Sequence, residues 1–132
     1  VNGLTQLKCV LVLEDEPLIA MDLQWALEDA GIDAVTARNC PEAMDAIKNK
    51  SVDGAILDVN LGKGQTCENA AMELHRLGLP FILNTGDLDR SGELLRRINA
   101  PVVAKPTPSE LVVERLLAVA AERGANQSRI DI

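Results

Sequence analysis

The sequence predicts one α/β domain whose parallel sheet carries helices on both faces. Three observations support this. Five short apolar runs alternate with five amphipathic stretches along the chain, the pattern of repeated βα units with right-handed crossovers. The apolar runs are nearly continuous rather than alternating, as strands covered on both faces should be. The stretches between them carry helix start and stop residues at the right places.

The strands are expected at residues 8–14, 33–37, 54–58, 80–85 and 101–105. In the first helix Ile19, Leu23, Ala26, Leu27 and Ala30 recur at helical spacing, and Gly31 follows as a stop. Asn39 to Glu42 has the spacing of a capping box, and Pro41 can sit in the first turn, where its missing N–H costs nothing. The third helix, near 66–77, carries Ala70, Ala71, Leu74 and Leu77 on one face and ends at Gly78. A short fourth helix is expected near 90–98. The fifth opens on Thr107-Pro108-Ser109-Glu110, again a capping-box spacing, with Val112, Leu116, Val119 and Ala120 facing inward.

The length of 132 residues and an apolar content of 47% suit a single core. The domain is expected over residues 8–122, with an N-terminal extension at 1–7 and a tail at 123–132. No apolar run is long enough to span a membrane and no signal pattern opens the chain, so a soluble, cytoplasmic protein is expected. A net charge of −7 argues against nucleic acid as a partner. Arg90, Arg96 and Arg97 form too small a basic cluster to reverse that reading. Cys9, Cys40 and Cys67 are odd in number with no CxxC pair, which suggests neither a disulfide framework nor a zinc site.

The stretch LVLEDEPLIA, residues 11–20, runs an apolar strand straight into Glu14, Asp15 and Glu16. In open α/β sheets, ligands sit beyond the carboxyl ends of the strands, where the strand order reverses. With the order 2-1-3-4-5, Glu14 and Asp15 would meet Asp58 after the third strand, Thr85 after the fourth and Lys105 after the fifth. Carboxylates held together repel and raise one another's pKa unless a cation joins them. A hard divalent ion such as Mg²⁺ resolves this.

The acidic pair in V-L-E-D-E-P, the aspartate in A-I-L-D-V-N-L, the hydroxyl and small residue in N-T-G, and the lysine and proline in A-K-P stand at successive strand exits. This set resembles the receiver domain of two-component response regulators, the CheY-like family, over residues 8 to about 122. The resemblance implies a flavodoxin-like, doubly wound five-stranded sheet in the order 2-1-3-4-5. It implies that Asp58 is the phosphoacceptor for a histidine kinase or histidine phosphotransfer protein. Asp15 would bind Mg²⁺ directly and Glu14 through water, with the backbone carbonyl of Asn60 completing the protein ligands. Lys105 would pair with a phosphoryl oxygen, the Thr85 hydroxyl would bond another, and Lys105-Pro106 would be a cis bond. Such a protein is a phosphoacceptor rather than an enzyme. An output partner would dock on the fourth helix, fifth strand and fifth helix, with Arg90, Arg96 and Arg97 on its rim and backbone change in 86–90 carrying the signal.

Some positions depart from the family's pattern. Val102 stands where an aromatic residue often serves the switch. The P-F-I-L-N-T-G and D-V-N-L-G stretches resemble a single-domain subgroup marked by a Phe-Ala-Thr-Gly motif, yet Asn84 replaces its alanine. Thr107 stands where phenylalanine commonly follows Lys-Pro.

Bland readings compete at each position. Glu16 is expected only to complement a helix dipole, and Thr85 could be a turn residue before Gly86. His75 is expected on the outer face of the third helix, and Trp25 away from the apolar stripe of the first. Two other chemistries fit less well. A haloacid-dehalogenase-type phosphatase needs an acid two residues after its nucleophile, where Asn60 stands, and Gly62-Lys63-Gly64-Gln65 is not a P-loop. An inactive receiver serving only as an interaction module is a further alternative. The tail after Arg123 is too short for an output domain. A start at Val1 rather than Met suggests a piece of something longer, such as the receiver end of a hybrid histidine kinase, and a free-standing receiver acting as phosphate shuttle, sink or stand-alone regulator is equally compatible.

Overall fold

The computed structural model describes residues 7–86 and 92–130, with backbone only for 124–130. The order of elements is β1 (Cys9–Leu13), α1 (Pro17–Asp29), β2 (Asp33–Ala37), α2 (Cys40–Asn49), β3 (Gly54–Asp58), α3 (Glu68–Leu77), β4 (Phe81–Thr85), α4 (Gly92–Ile98), β5 (Val102–Ala104) and α5 (Ser109–Ile130). The strands form one parallel sheet in the order β2-β1-β3-β4-β5, as expected. α5 runs through the expected domain boundary at 122 to Ile130. Arg90 and most of the 86–90 segment lie outside the described residues, as does nearly all of the expected N-terminal extension.

Strand alternation divides the core between the two faces. Leu11, Leu13, Ala55, Leu57 and Leu83 pack with Ala43, Ile47, Ala70 and Leu74 of α2 and α3. Val10, Val12, Ile56 and Ile82 pack with Leu23, Leu27, Val112 and Leu116 of α1 and α5. The register pairs Leu13 with Leu57 and Asp58 with Asn84. Continuing the period of two therefore puts Glu14, Asp58 and Asn84 in one row, on the α1/α5 side of the sheet edge. A strand slipped by one residue would turn its own member of the row to the other face.

Helix ends follow the expected signals in part. Gly31 and Gly78 adopt left-handed backbone (φ +81° and +72°) just past α1 and α3, which costs glycine little. The Asn39 side chain accepts from Glu42 N at 2.9 Å, the first half of the expected capping box. The second half is replaced. Glu42 bonds Arg38 N at 3.0 Å and the Arg38 guanidinium at 3.1 Å, because a cation there offers a stronger, charge-assisted donor than the cap's own amide.

The expected cap at Thr107 is not formed. Its hydroxyl donates to the Ala104 carbonyl, and Pro108 precedes the helix, its carbonyl accepting from Leu111 N and Val112 N. α3 starts at Glu68 rather than 66, because Thr66 is held in a bridge to Asn60. Leu77, expected inward, is 44% exposed in the last turn. β5 is only three residues long.

His75 is not a bare surface residue. Its Nε2 lies 2.7 Å from the Ile98 carbonyl at the end of α4, and its ring meets Phe81 edge-on at 4.8 Å between centroids. Arg97, expected on the rim of the output face, makes a two-pronged contact with Glu68 of α3 at 3.1 and 3.0 Å. Among the described residues no helix is long and apolar enough to cross a membrane. Cys9, Cys40 and Cys67 are free thiols; burial pushes Cys67 up to about 12, so it stays protonated and inert.

Candidate functional site

The site grows out of three strand ends. β1 hands its last backbone bond to Glu14, whose N–H donates to Ala37 O at 3.0 Å. Glu14 is thereby still part of the sheet and only 2% exposed. Its carboxylate accepts from Glu16 N at 3.2 Å and so fixes the turn into α1. Glu16 itself caps α1 without a side-chain bond and faces solvent, in line with the dipole reading. Asp58 closes β3 and accepts from Asn60 N at 3.3 Å. Asp15 is more open than either. One carboxylate oxygen from each of Glu14, Asp15 and Asp58 fits within a 4.8 Å set.

Lys105 completes the group from the far edge. Its N–H donates to Thr85 O at 2.9 Å, which ties the end of β4 to the turn after β5. The cis Lys105-Pro106 bond expected from the resemblance is present. The Lys105 ammonium lies 2.7 Å from Glu14 Oε1 and 3.3 Å from Asp58 Oδ2. Thr85 is 1% exposed beside it. Glu14, Asp15, Asp58 and Lys105 thus come together, with Asn60 one step along the β3–α3 loop and Thr85 across β4.

Electrostatics follow from burial and crowding. Burial first, then the Glu14 charge, pushes the Asp58 carboxyl up to about 7, and Lys105 opposes this only in part. Burial pulls the Lys105 ammonium down, but its bond to Glu14 and the charges of Asp58 and Glu14 outweigh that and raise its pKa. Two features escaped the sequence reading. Lys105 bonds Glu14 more closely than Asp58, a pairing across 91 positions of chain with no local signal. Asn84 presents a buried amide next to Asp58 in the sheet row, and its departure from the alanine of the motif was the one available hint.

The chain belongs to the response regulator receiver family, whose domain model matches residues 10–116 and so takes in the whole site. The phyllosphere-induced regulator PhyR of Methylorubrum extorquens is 35% identical over 102 residues, 74% of this chain. The chain spans 38% of that regulator's length. Among solved structures, SdrG from Sphingomonas melonis is 36% identical with a TM-score of 0.73, covering 86% of this chain and 96% of that one. A CheY-like receiver domain protein from Methanospirillum hungatei, 21% identical, has the same fold at a TM-score of 0.79 over 92% of this chain and 99% of its own.

Proposed function

We propose that the protein accepts a phosphoryl group on Asp58 from a histidine kinase or histidine phosphotransfer protein, with Mg²⁺, and switches a partner surface in response. The observation that carries this reading is the set of Glu14, Asp15 and Asp58 oxygens within 4.8 Å, two of them bonded to Lys105. Three carboxylates against one ammonium leave surplus negative charge, and an all-oxygen donor set of this kind suits Mg²⁺. Asp15, Asp58 and the Asn60 carbonyl would hold the ion directly and Glu14 through water. Bound there, Mg²⁺ supplies charge neutralisation for phosphoryl oxygens.

The chain's own groups then act as follows. An Asp58 oxygen attacks phosphorus while the P–N bond to the donor imidazole breaks, and the imidazole keeps the electron pair and takes up a proton. The product is an aspartyl phosphate. Lys105 exchanges its bonds to Glu14 and Asp58 for one to a phosphoryl oxygen, a charge-assisted contact that gains strength as negative charge gathers there. The Thr85 hydroxyl bonds another oxygen and draws the end of β4 inward. The protein is consumed as a substrate in this step and so acts as a phosphoacceptor rather than an enzyme.

The output surface in this reading is the α4-β5-α5 face, in the cytoplasm. Val102, 37% exposed, is too small and β-branched to swing as an aromatic would, so backbone movement near α4 carries the signal. A receiver module of a hybrid histidine kinase is a second reading that the same acidic set supports. A phosphate sink without its own output uses the same chemistry. An inactive interaction module is disfavoured by the intact acidic set.

The test is incubation with acetyl phosphate and Mg²⁺ followed by intact mass. The native protein should gain one phosphoryl group and Asp58→Asn none. Equal labelling of the variant would overturn the assignment.

A further inference from the structure

Asn84 is 5% exposed, and its Oδ1 has no hydrogen-bond donor among the described residues. A buried amide oxygen left in that condition is uncommon in a folded protein. Ile82, two residues earlier on the same face of β4, is apolar and packs into the core. The register explains the depth of Asn84, which pairs with Asp58 on one side and Val103 on the other. It does not explain the unmet acceptor.

Lys105 lies two residues beyond Val103, so the period of two puts its side chain on the same α1/α5 side of the sheet as Asn84. Its ammonium nonetheless reaches Glu14 Oε1 at 2.7 Å and Asp58 Oδ2 at 3.3 Å. In the order β1-β3-β4-β5 those acids stand three and two strands away from β5, with β4 between. The lysine chain therefore crosses the end of β4, where Asn84 stands, and both residues border one cavity of about 160 Å³. An ammonium carries three N–H donors. Glu14 and Asp58 take two of them, and the third meets no acceptor among the described residues.

We propose that Asn84 is a positioning residue that receives the Lys105 ammonium when a metal ion takes over the acidic row. The inference rests on the Mg²⁺ reading above. With a divalent charge held by Asp15 and Asp58, the ammonium is repelled from the carboxylates. A retreat against Ile19, Leu23 and Pro106 alone would leave it desolvated and unpaired. Drawing back by about 4.8 Å, one strand spacing, carries it from β3 to β4, where Asn84 Oδ1 accepts a charge-assisted bond. There it stays beside Asp58, within reach of an incoming phosphoryl oxygen. An amide suits this role better than a carboxylate, because it holds the ammonium without adding a fourth negative charge to the row. Asp22 also borders the cavity, but it is exposed to solvent and so the weaker acceptor.

The experiment measures Mg²⁺ affinity by calorimetry in the whole chain for Asn84→Ala, Lys105→Met and the two together, and follows the Asn84 side-chain amide by NMR. Asn84→Ala should bind Mg²⁺ roughly tenfold more weakly than the native protein, as loss of a hydrogen bond to a charged group does. In the Lys105→Met background the same change should have no effect, since no ammonium remains to be received. The Asn84 amide signal should shift on Mg²⁺ addition in the native protein and stay in place in Lys105→Met; this arm needs no change at Asn84 and is independent of how well the alanine variant folds. Asp22→Asn should alter affinity less than twofold. Native affinity in Asn84→Ala, an equal loss in both backgrounds, an amide shift that persists without Lys105, or a tenfold loss in Asp22→Asn would overturn the role of Asn84. A native protein that binds no Mg²⁺ would instead overturn the metal reading, and this inference with it.

Discussion

Lys105 Nζ lies 2.7 Å from Glu14 Oε1, closer than its 3.3 Å approach to Asp58 Oδ2. The ammonium is therefore held more closely by the residue that sits deepest than by the one proposed to react. Lys105 acts as an internal cation that keeps three carboxylates together until something else neutralises them.

Removing that cation should expose the repulsion. Lys105→Met is expected to lower stability in the absence of Mg²⁺ by about 3 kcal/mol, the bottom of the range for breaking a buried pair, since the lysine side chain is 21% exposed. The same variant should bind Mg²⁺ more tightly, because no competing ammonium remains. Thermal unfolding with and without Mg²⁺, together with calorimetric titration, checks both halves; weaker metal binding would show that Lys105 organises the ligands rather than competing with the ion.

The raised Asp58 pKa makes a second expectation, and its sign is definite. The folded protein holds this proton up to about pH 7, while the unfolded chain releases it near 3.8. Between those values the native state binds more protons, so stability is full below pH 4 and is lost as pH rises through 7. The loss has a ceiling of roughly 4 kcal/mol. Asp58→Asn should flatten this slope and be the more stable protein at pH 8. Urea unfolding between pH 5 and 8 without Mg²⁺ provides the measurement, and a native slope no steeper than that of the variant would contradict it.

Much of this arrangement was legible beforehand. Continuous apolar runs marked the strands, and the strand order that the family resemblance implied then fixed which polar exits could meet, so Glu14, Asp15, Asp58 and Lys105 followed from position and resemblance together. The rest depended on pairings that local pattern does not encode. Glu42 had the spacing of a capping box but found the guanidinium of Arg38. His75 looked like a solvated face of α3 because its partner, the Ile98 carbonyl, is a backbone atom and every residue has one. Asn84 was visible only as a departure from a motif, and its unmet acceptor is a property of packing.

The metal ligands should separate by depth. Asp15 is the more open of the two acids after β1, and a Cβ added at Gly62 would lie 3.5 Å from its Oδ2. In the proposed reading Glu14 acts through water, so Asp15→Asn should cost more Mg²⁺ affinity than Glu14→Gln. Gly62→Ala should cost about 1 kcal/mol of stability, because φ is +76° there, and should leave Mg²⁺ binding close to native, because 3.5 Å from Asp15 Oδ2 is ordinary van der Waals contact. Calorimetric titration of the three variants decides the order, and equal losses for Asp15→Asn and Glu14→Gln would place both acids in the inner shell.

α4 should behave as a clasped element. Two contacts tie it to α3, the paired bonds from Arg97 to Glu68 and the bond between His75 and the Ile98 carbonyl. Glu68 opens α3 directly after the loop that follows Asp58, so a change at Asp58 can reach α4 through it. The exposed Arg97 pair is screened and should contribute little to global stability. The His75 bond and its edge-on contact with Phe81 should contribute about 1 kcal/mol. The effect to measure is local. Arg97→Gln with His75→Ala should speed hydrogen exchange in 92–98 while β1 and β3 stay protected, since α4 is short and buries only Ile98 fully. Beryllofluoride with Mg²⁺, a mimic of the phosphorylated state, should loosen the same segment in the native protein and add little in the double variant, whose clasp is already open. Faster exchange spread across the sheet would mean that the contacts stabilise the whole fold. An undiminished response to the mimic in the double variant would show that the signal leaves Asp58 by another route.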